Sequence, residues 1–349
     1  MTPRPIDVGV LGATGPVGQQ FVARLGRHPW FRITWLAASQ RSEGRRLTEL
    51  AWHLAEPVPD AARDLVVDSA APSRGPRLIF SALDAAVAST LEPAFAAAGH
   101  IVISNASSHR MDPLVPLLVP EVNADHLGLL PAQSRERGWP GAIVTNPNCS
   151  TVFLSMALGA LRTLEPRAVL VTTLQAVSGA GYPGVASLDI LGNVIPRIGG
   201  EEEKIEAETR KILGTCRDAG VELHPVVISA QTTRVPVVDG HTESVSVRFE
   251  TRPSLDDVLQ AFRSFTGRPQ ELRLPSAPAH PVVYMDQADR PQPRLDAGRD
   301  DGMTVSVGRL RACPVLDVKF IVLGHNTVRG AAGAALLNAE LMVAEGLLD

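Results

Sequence analysis

Residues 6–18 read IDVGVLGATGPVG, in which an apolar strand pattern runs directly into a turn with glycines at positions 12, 15 and 18. Residues 19–25 then carry apolar side chains at helical spacing. Strand, glycine-rich turn and helix in this order are typical of a dinucleotide-binding unit, because glycines let the backbone approach a pyrophosphate that rests on the helix N-terminus. The spacing G-x-x-G-x-x-G is a variant of the commoner fingerprint. The stretch therefore predicts a nucleotide site, with a plain turn as the alternative.

The end of the next predicted strand, at residues 31–38, indicates which nucleotide is bound. A fold specific for NAD places an acidic residue near this point, where it holds the ribose hydroxyls. Here the strand is followed by Ser39, Gln40, Arg41 and Ser42. Hydroxyl groups and a guanidinium suit a 2′-phosphate, so the sequence favours NADP. A solvated polar loop is the alternative.

The following segments predict a parallel sheet. Apolar strand patterns at residues 77–83 and 100–104 alternate with an Ala-rich helix at 85–98, which we expect to break and restart at Glu92-Pro93. In such a sheet, ligands bind beyond the carboxyl ends of the strands. Residues 111–140 are rich in prolines and polar residues and are predicted to form a surface loop. Four residues follow predicted strand ends and are expected to converge on one crevice: Ser39, Ala82, Asn105 and Cys149.

Residues 145–151 read TNPNCST and lie between a short apolar strand and an apolar helix at 152–161. This turn places Cys149 at a helix N-terminus, where the macrodipole and free backbone N–H groups favour a negative charge. We therefore expect the pKa of the thiol to be lowered toward neutrality, which would make it a nucleophile. A buried structural cysteine is the alternative at this stage.

The second half of the chain predicts a different domain. It opens with a β-branched alternating strand at residues 168–176 and a glycine-rich loop at 178–184. Antiparallel strand patterns follow, and an acid-led helix at 201–213 is expected to carry most of its carboxylates on a solvated face. The chain is therefore predicted to be α/β, with a Rossmann-type NADP-binding domain and an α+β domain that has a mixed or antiparallel sheet. The last Ala-rich helix is expected to return to the first domain, which gives bounds of 1–148 plus 326–349 and 149–325.

Composition narrows the class of protein. The chain has 349 residues, enough for two domains with sizeable cores, and its net charge of −4 argues against nucleic-acid binding. Cys149, Cys216 and Cys313 are widely spaced, which indicates a reducing compartment and argues against a disulfide framework or a metal site. No apolar run approaches the roughly 20 residues that span a bilayer, and no secretion segment precedes the first strand. We expect a cytoplasmic protein with no membrane partner.

With these motifs in view, the sequence resembles the aspartate-semialdehyde dehydrogenases nearly end to end, specifically the branch found in archaea, fungi and some bacteria. The resemblance rests on several segments taken together: GATGPVG at 12–18, SNASSHRM at 104–111, NPNCST at 146–151, SGAGYPG at 178–184, GEEEK at 200–204, RVP at 234–236 with DGHTE at 239–243, and GHNTVRG at 324–330. Two positions depart from the family pattern. Gln40 stands where relatives often carry an acid, and Arg197 stands where an aromatic residue is usual.

The resemblance implies roles for residues at matching positions. Cys149 would be the nucleophile that forms an acyl-thioester, His241 the general acid/base beside it, and Gln175 the residue that orients the acyl group. Arg234 would pair with the substrate α-carboxylate, for which a planar guanidinium is suited, and Glu201 would contact the α-amino group. The implied phosphate contacts are Arg110, Lys204 and Asn148. The implied NADP contacts are Gly12, Thr14, Gly15, Pro16, Val17, Ser39, Arg41, Ser42, Ser178, Gly179 and Asn326.

The implied reaction is the NADPH-dependent reduction of L-aspartyl-4-phosphate to L-aspartate 4-semialdehyde and phosphate, a step toward lysine, threonine and methionine. The residue types agree with this chemistry, since it needs a soft nucleophile, cations for the departing phosphate and a proton donor. The resemblance also implies a homodimer or homotetramer, in which the second domain is both catalytic and the dimerisation domain.

Three other functions share part of this pattern. Malonyl-CoA reductase, on the same branch, would use the same cysteine, but its substrate has no α-amino group, so the presence of Glu201 with Arg234 favours the amino-acid substrate. N-acetyl-glutamyl-phosphate reductase shares the mechanism but differs in its local motifs. A catalytically silent NADP-binding sensor should have lost the cysteine, the histidine or a phosphate-binding cation, and the sequence retains all of them.

Overall fold

A computed structural model describes residues 5–348, and its first half forms one parallel sheet. The strands of this sheet are β1 Ile6–Leu11, β2 Phe31–Ala38, β3 Val67–Ser69, β4 Leu78–Ser81, β5 Ile101–Ser104 and β6 Ala142–Thr145. Their order is β3-β2-β1-β4-β5-β6, and each neighbouring pair is parallel. β4, β5 and β6 are buried along their whole length, as expected for a sheet covered on both faces. The predicted Rossmann-type domain is confirmed.

The second half forms a six-stranded mixed sheet and a small hairpin. The strands are β7 Pro166–Gln175, β8 Thr215–Arg217, β9 Gly220–Glu222, β10 Val227–Arg234, β11 His241–Phe249, β12 Val282–Met285, β13 Val305–Ala312 and β14 Val318–Gly324. The large sheet has the order β10-β7-β11-β14-β13-β12, and β8 pairs with β9. β7 and β10 run parallel, whereas β11 is antiparallel to both β7 and β14. The sheet is therefore mixed, one of the two predicted forms.

Helices connect and cover both sheets. Within residues 5–348 the α-helices are α1 Pro16–Leu25, α2 Asp60–Arg63, α3 Ala85–Ala97, α4 Pro120–Asn123, α5 Leu130–Arg137, α6 Cys149–Ala160, α7 Ser187–Ile190, α8 Glu201–Ile212, α9 Leu255–Ser264, α10 Arg268–Glu271, α11 Pro293–Asp296 and α12 Gly333–Ala344. A π-turn, Val328–Ala332, precedes α12. No helix in this part of the chain is long and apolar enough to cross a bilayer.

Two cores explain how the halves meet. Leu336 and Leu337 of α12 pack in the same apolar cluster as Val8 and Phe80 of the first sheet, so the last helix does return to it. α6 instead packs in the second core with side chains from the mixed sheet. Because α6 begins at Cys149, the nucleophile turn lies at the junction of the two cores. The predicted domain bounds are consistent with this packing and stay a prediction.

Two local predictions were wrong. Residues 111–140 are largely helical, with α4, a 3-10 turn at Ala124–Leu129 and α5, because Pro120 and Pro131 occupy first-turn positions that tolerate proline. α3 is continuous across Pro93. Glu92, just before it, is buried and accepts a hydrogen bond from Ser104 Oγ at 2.7 Å, which ties this part of α3 to the sheet.

Candidate active site

The turn between β1 and α1 has a shape that suits a pyrophosphate. Gly12 has a φ of +75°, and a Cβ there would lie 2.6 Å from the Ala82 carbonyl oxygen. A Cβ on Gly18 would lie 2.1 Å from the Gly12 carbonyl oxygen, so only glycine lets α1 pack against the turn. Gly15, the N-cap of α1, is open by contrast, since its Cβ would meet nothing closer than 3.7 Å. The helix N-terminus is therefore accessible to an anion.

The polar residues after β2 lie at the same edge of the sheet. Gly12 N–H donates to the Ala37 carbonyl at 2.8 Å, which joins the glycine turn to the end of β2. Ser42 N–H donates to the Ser39 carbonyl at 2.9 Å, and this turn leaves Ser39 and Arg41 exposed. Hydroxyl and guanidinium groups are thus available beside the glycine turn, as a 2′-phosphate requires.

Cys149 is held from both sides. Asn148 caps α6, since its Oδ1 accepts from the N–H groups of Ser150 at 3.0 Å and Thr151 at 3.3 Å. On the other side, the π-turn brings Gly330 against the cysteine, where a Cβ would lie 2.6 Å from Cys149 Cβ. The turn and its helix therefore fix the position of the thiol.

The expected lowering of the Cys149 pKa is not what the structure shows. Burial and the negative charge of Glu201 raise the pKa of this thiol to about 12. The N–H of Ser150 and the charges of Arg110 and Arg234 act in the opposite direction but are outweighed. The sequence showed that Cys149 lies at a helix N-terminus, but not that the thiol is surrounded by protein and faces Glu201. At neutral pH the thiol is protonated until the charge around it changes.

His241 presents an N–H group to the site. It begins β11 and is buried, and its Nδ1 accepts from the Ala176 N–H at 3.0 Å. Burial, followed by the nearby charges of Arg234 and His325, lowers the pKa of His241 to about 3. The imidazole is therefore neutral, with its proton on Nε2. Within residues 5–348 this Nε2 has no hydrogen-bond partner.

Arg234 and Gly179 surround the histidine. Arg234 ends β10 and donates from Nη1 to the Ala176 carbonyl at 2.7 Å. The backbone of Ala176 therefore orients both Arg234, through its carbonyl, and His241, through its N–H. A Cβ on Gly179 would lie 2.8 Å from Arg234 Nη1 and 3.1 Å from His241 Nε2. Gly179 therefore leaves room beside both groups. No side-chain pattern identifies Ala176, because its contribution comes from the backbone.

Glu201 gathers three of the predicted residues around one carboxylate. Its Oε2 accepts from Asn148 Nδ2 at 2.6 Å and more weakly from Gln175 Nε2 at 3.5 Å. Its Oε1 accepts from Lys204 Nζ at 3.0 Å. Since Glu201 also raises the pKa of Cys149, its charge acts directly on the thiol.

Glu208 is a residue that the sequence reasoning missed. Its Oε1 lies 3.0 Å from Arg110 Nη1, and its Oε2 accepts from the Asn148 N–H at 2.6 Å. The prediction that the carboxylates of α8 are mostly solvated was wrong. The helix has five glutamates, and only Glu203 is exposed. The seven-residue spacing of Glu201 and Glu208, two helical turns, was the available signal that they share one face.

Asn326 joins the remaining segments. Its Oδ1 accepts from the Gly240 N–H at 2.8 Å and its Nδ2 donates to Ser178 Oγ at 2.7 Å. The loop that contains Ser178 and Gly179 is thereby tied to the residue before His241. The structure thus brings together the residues predicted around the thiol. The residues predicted for the nucleotide form two groups, one at the ends of β1 and β2, and the other, Ser178, Gly179 and Asn326, beside Gly240 and His241. The role of each individual residue stays a prediction.

Comparison with known proteins agrees with this arrangement. The family profile described as semialdehyde dehydrogenase, NAD binding domain, matches residues 7–130, and that described as semialdehyde dehydrogenase, dimerisation domain, matches residues 158–329. An aspartate-semialdehyde dehydrogenase from Archaeoglobus fulgidus is 49% identical over 344 residues, covering 98% of this chain and 99% of that protein. One from Cryptococcus neoformans is 50% identical over 365 residues, covering 100% of each.

A solved structure shares the fold over the whole chain. The crystal structure of aspartate-semialdehyde dehydrogenase with NADP from Candida albicans superposes with a TM-score of 0.92 at 42% identity and covers 99% of this chain and 100% of that one. Fold, site and matches together define a semialdehyde dehydrogenase with a nucleotide-binding and a dimerisation domain. The sequence identities to these aspartate-semialdehyde dehydrogenases extend over nearly the full length of the chain, so the class can be stated more narrowly. The chain belongs to the aspartate-semialdehyde dehydrogenase family.

Proposed function

We propose that this protein reduces L-aspartyl-4-phosphate to L-aspartate 4-semialdehyde and phosphate with NADPH, through a thioester on Cys149. The observation that carries the proposal is that the half-buried thiol of Cys149 lies among the neutral His241 and the charged groups of Arg110, Arg234 and Glu201. These are the groups that an acyl phosphate reduction needs: a nucleophile, a proton donor and cations for the leaving group.

The first half of the reaction forms the thioester. Arg234 holds the α-carboxylate and Glu201 the α-ammonium group of the substrate. Because the ammonium offsets the charge of Glu201, it removes one of the two main causes that raise the Cys149 pKa, and the thiolate becomes easier to form. Sγ then attacks the acyl carbon, the bond from carbon to the phosphate oxygen breaks, and the departing phosphate takes up the proton that the thiol gives up. Arg110, Lys204 and Asn148 receive the phosphate, and Gln175 orients the acyl group.

The second half releases the aldehyde. NADPH supplies the hydride that reduces the thioester. The Nε2–H of His241 donates a hydrogen bond to the oxyanion that hydride transfer leaves on the acyl carbon. The oxyanion then re-forms its carbon–oxygen double bond, the carbon–sulfur bond breaks, and the aldehyde and the thiolate of Cys149 are released. A buried donor without a partner is costly, and a substrate oxygen would satisfy it.

The cofactor residues follow the geometry of the two turns. Gly12 shapes the turn, Gly15 leaves the α1 N-terminus open, and Arg41 offers a guanidinium beside it. The full set that we propose to contact NADP is Gly12, Thr14, Gly15, Pro16, Val17, Ser39, Arg41, Ser42, Ser178, Gly179 and Asn326. In the same proposal, residues 1–148 with 326–349 form the NADP-binding domain and residues 149–325 the catalytic and dimerisation domain.

An assay on the purified protein tests the reaction. NADPH oxidation should depend on L-aspartyl-4-phosphate, and in reverse NADP⁺ reduction should require both the semialdehyde and phosphate. Turnover of malonyl-CoA in their place would contradict the proposal and identify the related reductase. NADP binding without turnover of any of these substrates would indicate a silent binding protein.

A substitution of the nucleophile tests the thioester route. Cys149→Ser should lower turnover by about a thousandfold or more, since the hydroxyl is a far weaker nucleophile, while NADP binding followed by fluorescence titration is retained. Cys216→Ser is the matched control and should keep wild-type activity, because Cys216 lies on the small β8–β9 hairpin. Normal activity in the Cys149→Ser variant would rule out the thioester.

The dimerisation domain matched above indicates self-association, and we propose a homodimer or homotetramer formed through the outer face of the mixed sheet. Leu170 and Leu174 of β7 and Val227 of β10 are exposed on this sheet, as expected of apolar side chains that a partner covers. Light scattering of the purified protein measures the assembly, and a monomer would contradict this part.

The proposed location is the cytoplasm, which the three free thiols support.

A further inference from the structure

Helix α8 connects two parts of the active site that are far apart in the sequence. Glu208 bridges Arg110 and the backbone of Asn148, at 3.0 Å from Arg110 Nη1 and 2.6 Å from the Asn148 nitrogen. Asn148 is the cap of the helix that begins with Cys149, and Arg110 is a proposed phosphate contact. Glu208 itself is buried, so water does not compete for either bond.

The arginine is fixed by two contacts at different ends of its guanidinium. Nη1 donates to Glu208, and Nη2 donates to the Asn105 carbonyl at 2.7 Å. Arg110 Nε is buried and has no partner among the described residues. A guanidinium has five N–H donors in one plane, so these two bonds set its orientation and leave other donors for a phosphate.

The backbone that carries Arg110 is fixed by the next turn of the same helix. The ammonium of Lys211 is buried and donates to the carbonyl groups of Arg110 at 2.7 Å, Asp112 at 2.7 Å and Val115 at 2.8 Å. All three N–H bonds of this ammonium are used within one loop. Glu208 and Lys211, three residues apart on α8, therefore hold the side chain and the main chain of the same segment.

We propose that Glu208 is a positioning residue, which aligns the guanidinium of Arg110 with the nucleophile turn so that phosphate leaves toward a preset cation. This inference rests on the function proposed above, since it takes Arg110 as a phosphate contact. Glu208 acts through its two partners and does not touch the substrate. Its loss would leave a buried guanidinium with a single fixed contact.

Glu208→Gln tests the proposal with little change in shape. The amide oxygen still accepts from the Asn148 N–H, but the amide nitrogen faces a guanidinium donor. In the reverse assay, the KM for phosphate should rise by about tenfold to a hundredfold, the range that one hydrogen bond to a charged group is worth. The KM values for NADP⁺ and for the semialdehyde should stay within about twofold of the wild-type values, a split that general loosening of the fold would not produce.

The same substitution elsewhere on the helix is the control. Glu203→Gln changes the exposed glutamate of α8 and should leave all three KM values unchanged. The double variant Arg110→Leu/Glu208→Gln should bind phosphate no more weakly than Arg110→Leu alone, because Glu208 acts through the arginine. Additive losses would overturn the proposal.

The outcomes separate this inference from the proposed function. If the wild-type protein shows no phosphate-dependent reduction of NADP⁺, the function itself is wrong. If the wild type is active and Glu208→Gln keeps the wild-type KM for phosphate, only the positioning role is wrong. If Glu208→Gln does not fold, Glu208→Asp takes its place. The shorter side chain keeps the charge, and its KM for phosphate should still rise selectively; an equal rise in all three KM values would overturn the role.

Discussion

The peptide N–H of Ala176 donates to Nδ1 of His241 at 3.0 Å. Because an N–H donor can only bond the unprotonated ring nitrogen, this contact places the proton of the neutral imidazole on Nε2. His241 is therefore set to donate a hydrogen bond into the site, not to accept one there. In the proposed reaction it donates a hydrogen bond to the oxyanion of the thiohemiacetal and does not deprotonate the resting thiol.

Gly179→Ala should disturb that donor. The new methyl group would lie 2.8 Å from Arg234 Nη1, closer than real Cβ contacts occur, and 3.1 Å from His241 Nε2, tighter than most of them, so one or both groups must shift. We expect kcat/KM for the semialdehyde to fall by about tenfold or more, measured by steady-state kinetics. Gly199→Ala is the control, since a Cβ there meets nothing within 4 Å. Full activity of Gly179→Ala would show that neither group lies at the reaction centre.

The thiol of the resting enzyme should be slow to alkylate. With a pKa raised to about 12 by burial and Glu201, its thiolate fraction grows by about tenfold per pH unit across the neutral and mildly alkaline range. Glu201→Gln removes the second cause, lowers the pKa of Cys149 and should accelerate its alkylation by iodoacetamide at about pH 8. Mass spectrometry of the Cys149 peptide measures the rate, with Glu203→Gln as the control. Equal rates in both variants would contradict the charge effect.

Glu243 predicts a pH dependence of stability. It is fully buried on β11, both carboxyl oxygens lack partners within residues 5–348, and burial raises its pKa well above the ordinary value. The folded protein therefore binds more protons than the unfolded chain between the two pKa values, and stability falls as pH rises through that window. Glu243→Gln has no such proton to lose.

The advantage of Glu243→Gln over wild type in free energy of unfolding should grow by about 1.4 kcal/mol per pH unit from the ordinary glutamate pKa up to the raised one. Denaturant titrations at several pH values measure this difference. The exposed Glu203→Gln should parallel the wild type. A constant difference between Glu243→Gln and wild type would show that the carboxyl is ionised in the folded state.

Arg41→Ala should weaken the preference for NADP. The exposed guanidinium follows β2 beside the glycine turn, and a solvated contact to a 2′-phosphate is worth about a twofold to fivefold change in KM. The KM for NADP should rise by that factor while the KM for NAD, which lacks the phosphate, stays constant. Equal changes for both cofactors would place the 2′-phosphate elsewhere.

Local sequence patterns were sufficient for the elements that present the site. The strand before Gly12 and the helix after Cys149 are each encoded by neighbouring residues, and both form as predicted. The sign of the Cys149 pKa shift could not be predicted in this way. It depends on burial and on Glu201, which lies 52 positions further along the chain.

Contacts that act through the backbone or across long separations were also beyond the sequence. Glu208 meets the N–H of Asn148 across 60 residues, and one acidic residue among several on a helix does not reveal such a partner. Ala176 orients two site residues with its backbone N–H and carbonyl alone. The family resemblance marked the side chains at motif positions, whereas the residues that align them carry no motif.

The π-turn against Cys149 has a consequence for how the protein is made. Asn146, in the nucleophile turn, bonds to the Ala331 carbonyl and to Asn338, which are 185 and 192 residues further along the chain. During translation the first sheet can therefore assemble long before the π-turn that packs against Cys149 leaves the ribosome. A stalled nascent chain would present Cys149 on an unsupported turn, open to oxidants and without its neighbours. Catalytic competence is thus acquired only after Gly330 and the helix behind it have emerged.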